Sequence, residues 1–243
     1  KTHKDEYDFI VIFSNFDYQM IESEAAAFSH NVKNDIQGIG IPLFDHSSDY
    51  GSNGKLQVTI DMGNIAKVAI DPLDPRFEQT LSTLSHETMH RWAAYMKFKD
   101  MTGAISTALL GRNNSHWSFL LDSGGSVMFG NSWKDNGNGT FTSTTPQSQM
   151  KFYSPLELYL MGMQGRDKVP PMLLINSPNT DAMRLPEAGV TISGTARYIS
   201  IDDIIAAEGE RIPESSTSQK TFKTAFIFIT TPGTFTGGEL YGH

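Results

Sequence analysis

The chain has no cysteine among its 243 residues. A disulfide framework, a cysteine nucleophile and a thiolate metal site are therefore all excluded. The sequence also has no run of about 18 consecutive apolar residues, which a membrane-spanning helix would need. Charged residues make up only 19% of the chain, and neither an internal repeat nor a low-complexity tract is present. These absences exclude the membrane-spanning, fibrous and disulfide-rich classes of protein.

Charge and apolar content narrow the class further. The formal net charge is -8, and a nucleic-acid partner, which would require a basic stripe, is not expected. Apolar residues make up 39% of the chain, which is enough for a core and too much for disorder. Low charge with many Ser, Thr, Asn and Gly residues favours a secreted or cell-surface protein, which we expect to be a monomer.

The most informative segment reads LSHETMHRW and runs from Leu84 to Trp92. Residues four apart on a helix lie on one face about one turn apart, so His86 and His90 can direct two imidazoles at one ion. Zinc accepts such nitrogen ligands at roughly 2.0–2.1 Å, and a catalytic site keeps its fourth position for water. Glu87 would then take a proton from that water. The sequence therefore predicts a catalytic zinc site.

The residues around this motif predict a long helix. Asp74 and Pro75 match an N-cap followed by a proline at the first helical position. Lys97 and Lys99 suit the negative C-terminal end of the helix, and Gly103 follows the end of the pattern. The apolar stripe of this helix would contain Phe77, Leu81, Leu84, Trp92 and Tyr95. A helix with one apolar face and a second face that carries histidines is expected to be buried on both sides.

Patterning along the rest of the chain predicts an α+β fold. Strands are expected at 7–13, 56–61, around Phe141, within 190–199 and at 224–229. Helices are expected at 20–33, 102–110, from Ser154 and from Ser200 to Gly209, with a hairpin turn at 136–139. The strand at 56–61 is a candidate edge strand for pairing with a substrate backbone, or else an ordinary sheet strand. A composition shift near residue 165 separates a catalytic part, 1–165, from a smaller β-rich part, 166–243, which packs on it or belongs to the same domain.

A third protein ligand is expected because two histidines hold zinc weakly. His116 lies in a polar loop that enters a strand, and no local structural role explains it. Glu157 follows Ser154 at the spacing of a capping box, which gives this carboxylate a structural explanation. Asp122 precedes Ser-Gly-Gly and is suited to closing a turn. His116 is therefore the preferred third ligand, with Glu157 and Asp122 as alternatives.

With these residues, the chain resembles the zincin metalloendopeptidases, which are zinc hydrolases with a central HExxH helix and a mixed sheet. The segment Ser126-Val127-Met128-Phe129 and the Ser-Pro-capped helix after it resemble the methionine turn and closing helix of the metzincin group. Met128 would then be an apolar floor under the metal. The chain departs from the metzincin pattern at Ala93 and Met96, where that group has a glycine and its third ligand. Glu157 would suit the glutamate-type zincins instead. The clan within the zincins therefore stays open.

Two further segments, HW at 116–117 and SPLELYLMG at 154–162, are similar to segments of uncharacterised secreted bacterial proteins. The resemblance covers residues 7–165. It names no substrate. The resemblance to zincins implies hydrolysis of peptide bonds in a protein or peptide substrate, with Glu87 as the general base. Tyr153 or Tyr159 would donate a hydrogen bond to the oxyanion.

Two alternative hypotheses remain. The first is a non-catalytic module on a zincin scaffold that recognises a protein or glycan through an aromatic platform containing Trp117 and Trp133. The full motif argues against it, because a pure binder has no use for Glu87. The second adds a calcium ion at 135–139, or in the loop with Asp45, Asp49 and Asn53, because oxygen-bearing side chains alternate there. A hairpin turn explains 135–139 better.

Overall fold

The computed structural model describes residues 4–20, 25–145 and 152–234. Within those ranges the chain forms fifteen strands and three α-helices, which confirms a mixed α+β fold. The elements in chain order are β1 (Phe9–Ser14), β2 (Phe28–Asn31), β3 (Lys33–Asn34), β4 (Phe44–Asp45), β5 (Val58–Asn64), α1 (Phe77–Met89), β6 (Phe98–Lys99), β7 (Ile105–Ser106), β8 (Trp117–Asp122), β9 (Phe129–Asn131), β10 (Trp133–Asp135), β11 (Thr140–Ser143), α2 (Pro155–Leu160), β12 (Met172–Asn176), β13 (Thr191–Ser193), β14 (Thr195–Ile199), α3 (Ile201–Glu208) and β15 (Thr224–Ile229). None of the helices within the described residues is long and apolar enough to cross a bilayer.

The first sheet has the strand order β15-β1-β5-β2. Strand β1 pairs in parallel with β5 and β15, while β2 pairs antiparallel to β5. The predicted strands at 7–13 and 56–61 correspond to β1 and β5, whose apolar side chains form part of the core. Of the two interpretations of 56–61, the structure supports an ordinary sheet strand and contradicts the edge strand, because β5 is an inner strand and β2 is the edge. The prediction of a buried strand at 224–229 was also wrong in its burial, because β15 is an edge strand whose Phe226 is 65% exposed.

The second sheet, of order β14-β12-β8-β9, carries the loop that ends at His116. Strand β8 is buried along almost its whole length. A third sheet joins β10, β11 and β13, and the turn at Asn136–Gly139 connects β10 to β11 as predicted. Strands before residue 165 pair with later strands in all three sheets, so the parts 1–165 and 166–243 share backbone hydrogen bonds.

Helix α1 is shorter than the sequence pattern predicts. It begins at Phe77 and ends at Met89, with His90 as its C-cap. The Asp74 side chain accepts hydrogen bonds from Arg76 and does not cap the helix. Trp92 is buried after the helix, in a turn that contains a cis peptide bond between Ala93 and Ala94. The predicted continuation towards Lys99 was wrong, because apolar residues after His90 are buried by tertiary packing outside the helix.

The shorter helices were predicted with mixed success. Ser154 and Ser200 each form a capping box, at the start of α2 and α3 respectively, as predicted. The helix predicted at 20–33 was wrong where the structure describes it, because residues 28–31 pair with β5; residues 21–24 lie outside the described residues. The helix predicted at 102–110 was also wrong, since that segment contains the short strand β7, paired with β6. In both segments strand pairing overrides helix propensity, with the distant β5 in the first and with the neighbouring β6 in the second.

Candidate metal centre

Three histidines converge at the end of α1. His86 lies in the last turn of the helix, His90 is its C-cap, and His116 immediately precedes β8. One ring nitrogen from each lies within 4.8 Å of the other two. Among the described residues, this is the one group of three or more potential ligands that meets that distance. The structure thus brings together the three predicted ligands from two distant segments of the chain.

The spacing of the ring nitrogens suits a zinc ion. The Nε2 atoms of His86 and His116 are 3.1 Å apart. Two nitrogens bound to zinc at roughly 2.0–2.1 Å in tetrahedral geometry lie about 3.3 Å apart. The ring centroids of the three histidines are 4.8 to 5.0 Å from one another. The separation of this pair is therefore close to that of two nitrogen ligands of one tetrahedral zinc ion, and the third ring lies within reach.

Each imidazole also has a backbone carbonyl as a hydrogen-bond partner. Nδ1 of His86 lies 2.6 Å from the carbonyl oxygen of Val127, and Nδ1 of His116 lies 2.9 Å from that of Arg112. The ring of His90 donates to the carbonyl of Ala93. An imidazole that donates one N–H to a carbonyl presents the lone pair of its other nitrogen, which is the arrangement typical of metal-binding histidines.

Burial favours the neutral form of the imidazoles of His90 and His116. Burial lowers the pKa of His90 well below its usual value, and the neighbouring His86 and His116 lower it further. Burial also lowers the pKa of His116, although its hydrogen bond to Arg112 partly opposes this. Because only a neutral imidazole can ligate a metal, the environment favours the form that a metal site needs.

Glu87 is buried beside the three histidines. Its side chain lies in the last turn of α1, and burial raises its pKa to about 7. The backbone N–H of Ser29, on the edge strand β2, donates to the carboxylate and lowers the pKa slightly. This hydrogen bond fixes the carboxylate between the helix and the edge of the first sheet.

The end of α1 is held by residues from other segments. The carbonyl of His90 accepts hydrogen bonds of 2.8 Å from the Nδ2 of Asn31 and from the hydroxyl of Tyr95. The backbone N–H of Ala94 donates to the carbonyl of Ser115, which ties the turn after the helix to the loop of His116. These contacts end the helix at His90 and fix the third histidine relative to the first two.

A tight turn at Ser126–Phe129 covers one side of the histidines. The Phe129 ring stacks on His116, with centroids 4.6 Å apart and planes 14° apart, and also lies 5.0 Å from the His86 ring. Its backbone has a φ of 74°, which is unusual for a residue other than glycine. Met128, the predicted apolar floor, is fully buried in the same turn. Sequence reasoning missed Phe129, although it lies within the segment that resembles a methionine turn.

The two alternative third ligands lie outside the histidine cluster. Both carboxylate oxygens of Asp122 accept backbone hydrogen bonds, from Gly124 and Trp133, so this residue closes a turn. Glu157 is fully buried in α2, where it accepts hydrogen bonds from Trp117, Ser126 and Ser154. Neither residue belongs to the group of converging ligand atoms.

The two tyrosines considered as oxyanion donors have different surroundings. The Tyr153 hydroxyl donates to the carbonyl of Ser85 at 3.2 Å, and Ser85 is the residue directly before His86. Tyr159 is buried, and its hydroxyl accepts a hydrogen bond from the backbone N–H of Arg211. Tyr153 is thus the tyrosine attached to the helix that carries the histidines.

Other predicted surfaces are not formed in the way the sequence indicated. Trp117 and Trp133 are buried, at 1% and 7% exposure, so the aromatic platform predicted from them was wrong. In the predicted calcium loop, Asp135 accepts from the backbone N–H of Gly137, as in a hairpin turn. Neither that loop nor the segment with Asp45 and Asp49 forms a cluster of potential metal ligands in the described part of the chain.

The site therefore combines three converging imidazoles, a buried carboxylate and an aromatic turn, none of which is unusual alone. Their convergence is what indicates a function. Comparisons of this chain with protein-family models, with curated proteins and with solved structures found no match.

Proposed function

We propose that this chain is a zinc-dependent endopeptidase in which His86, His90 and His116 hold the ion. The observation that carries the proposal is the convergence of one ring nitrogen from each histidine within 4.8 Å, beside Glu87. When Nδ1 of His86 and of His116 each donate to a backbone carbonyl, their Nε2 atoms present lone pairs 3.1 Å apart, an arrangement that a bound cation would stabilise. The donor set, three nitrogens without sulfur, suits catalytic zinc.

Each group in the cluster has a part in the proposed reaction. When bound, zinc acts as a Lewis acid and makes water nucleophilic at neutral pH. Glu87 takes a proton from the attacking water and later delivers it to the leaving amine. The Ser29 N–H orients this carboxylate for both transfers. The Tyr153 hydroxyl is the candidate donor to the developing oxyanion, for which it would have to exchange its present hydrogen bond to the Ser85 carbonyl.

The proposal also extends the resemblance to zincins. A short helix ending in the second histidine, a third histidine from a later segment and a sheet edge next to the helix are all compatible with such a scaffold. The clan within the zincins stays open. The low charge and the many Ser, Thr, Asn and Gly residues favour action outside the cell, on a protein or peptide substrate.

The decisive experiment compares Glu87→Gln with Glu78→Gln in the zinc-loaded protein. Glu78 is an exposed acid in the first turn of the same helix and serves as a matched control. Cleavage of an unfolded protein such as reduced casein is measured together with zinc content. We expect Glu87→Gln to keep zinc and lose activity by roughly 10²–10⁴-fold, whereas Glu78→Gln keeps both.

Retention of full cleavage by Glu87→Gln would remove this residue from catalysis. A wild-type protein that binds one zinc ion but cleaves no unfolded substrate would instead favour the binding module on a zincin scaffold. A wild-type protein that binds no zinc would overturn the metal centre itself.

A further inference from the structure

Glu157 makes more contacts than helix capping requires. In the capping box of α2, its Oε2 accepts a hydrogen bond of 2.6 Å from the Ser154 N–H. The other carboxylate oxygen, Oε1, accepts from the Trp117 indole at 2.7 Å and from the Ser126 hydroxyl at 2.6 Å. The side chain is completely buried. Burying a carboxylate is costly unless several hydrogen bonds compensate, so this placement calls for an explanation other than the cap.

The second capping box in the chain provides a comparison. At the start of α3, Asp203 accepts hydrogen bonds only from the N–H and hydroxyl of Ser200, and it remains partly exposed. A capping box in this fold therefore works without burial and without long-range partners. The contacts from Oε1 of Glu157 link α2 to segments 31 and 40 residues away along the chain.

Both long-range partners belong to segments that hold the histidines. Trp117 directly follows His116, and its backbone N–H donates to the carbonyl of Met128. Ser126 begins the turn whose next carbonyl, from Val127, accepts the hydrogen bond of His86. A single carboxylate oxygen thus joins the strand after His116 to the turn that orients His86.

We propose that Glu157 is a positioning residue for the metal centre. Through its hydrogen bonds with Trp117 and Ser126 it fixes the strand after His116 relative to the turn that orients His86, without touching the ion. This inference rests on the proposed zinc site. Without the carboxylate, the β8 strand and the Ser126–Phe129 turn would lose their shared acceptor. The rings of His86 and His116 would then no longer be held at the 3.1 Å separation of their Nε2 atoms.

Glu157→Gln is a sharp test because its amide cannot satisfy all three donors. If the Gln carbonyl accepts from the Ser154 N–H, the amide NH2 faces the Trp117 indole, which can only donate. If the amide is flipped, the NH2 faces the Ser154 N–H instead. Trp117→Phe and Ser126→Ala each remove one donor and leave the carboxylate in place. Asp203→Asn, in the other capping box, is the matched control.

Zinc affinity is measured by competition with a chromophoric chelator, alongside the unfolding midpoint of each metal-free variant. We expect Glu157→Gln to weaken zinc binding by roughly 10–100-fold, and Trp117→Phe and Ser126→Ala to weaken it by less. Asp203→Asn should lower the unfolding midpoint and leave zinc affinity unchanged. A structural role alone would move only the midpoint.

The outcomes separate this inference from the proposed function. If the wild-type protein binds zinc and all three variants at this junction bind it equally well, the positioning role is overturned and the zinc site stands. If Glu157→Gln does not fold, unchanged zinc affinity in Trp117→Phe and Ser126→Ala has the same meaning. Absence of zinc binding in the wild-type protein overturns the proposed function.

Discussion

Phe129 offers a prediction in which backbone strain and ring stacking can be measured separately. Its ring contacts the imidazoles of His116 and His86, at centroid distances of 4.6 and 5.0 Å. Each aromatic pair contributes about 0.5–1.5 kcal/mol beyond burial. Loss of both contacts in Phe129→Ala or Phe129→Gly should therefore destabilise the metal-free protein by about 1–3 kcal/mol.

The two substitutions differ in their effect on the backbone. At a φ of 74°, alanine keeps the left-handed strain of about 1–2 kcal/mol, which glycine relieves. Glycine in turn loses about 0.4–1 kcal/mol through the entropy of the unfolded chain. At mid-range values of these two terms, Phe129→Gly should therefore be more stable than Phe129→Ala by about 0.8 kcal/mol, or about 2–3 °C in Tm.

Chemical denaturation in the presence of a chelator measures the two stabilities, and chelator competition measures zinc affinity. Both variants should bind zinc more weakly than the wild type and to a similar extent, because both lack the ring. Phe44→Ala is the matched control, since Phe44 stacks on His46 at 5.4 Å, outside the histidine cluster. Equal stability of the two Phe129 variants would refute the strain argument. Unchanged zinc affinity would refute the role of the ring.

Two further predictions concern the third ligand and the response to acid. Zinc at 100 times its Kd should stabilise the wild type by about 2.7 kcal/mol in thermal unfolding, and the control variant His46→Ala by the same amount. His116→Ala should show no such gain. An equal gain in this variant would exclude His116 as a ligand. Burial tends to raise the pKa of Asp8, but hydrogen bonds from Gln219, Lys55 and the Lys223 N–H bring the pKa below its ordinary value. The stability that Asp8 adds is present above its unfolded pKa and lost as pH falls through its folded pKa. The difference in free energy of unfolding between the wild type and Asp8→Asn should therefore be largest near neutral pH and shrink below about pH 4. A difference that grows in acid would contradict this prediction.

Much of the fold could be predicted where the determining interactions are local. The capping boxes of α2 and α3 depend on side chains three residues apart, and the β10–β11 turn depends on consecutive Asn and Gly residues. These features are visible in the sequence because the residues that interact are neighbours in it. The same holds for His86 and His90, whose spacing alone sets them on one side of α1.

The features that could not be predicted depend on distant residues. The end of α1 at His90 is determined by Asn31 and Tyr95, and the apolar residues Trp92 and Tyr95 continue the helical period beyond it. Segment 28–31 forms its backbone hydrogen bonds with β5 and not within a helix of its own, so its helix propensity misled the prediction. The position of β5 inside the sheet depends on how β2 and β1 flank it, which the sequence does not reveal.

The choice of His116 shows how far elimination of alternative ligands can go when only the sequence is known. His116 was preferred because Glu157 and Asp122 each had a local structural explanation, and the structure gives both residues those local roles. Elimination did not find the long-range contacts of Glu157. A capping residue that is also completely buried has no sequence signature, because burial is a property of the folded chain.

The hydrogen bonds that hold the three imidazoles limit which substitutions can change the orientation of the rings. All three rings donate to backbone carbonyls, of Val127, Ala93 and Arg112, and a side-chain substitution cannot remove a carbonyl. The orientation of the rings therefore depends on the conformation of three turns. Those turns are fixed by side chains that contact no metal, among them Glu157 and Phe129. Because ligand geometry is set in this indirect way, the residues that would determine the affinity of the proposed zinc site extend well beyond the HExxH motif.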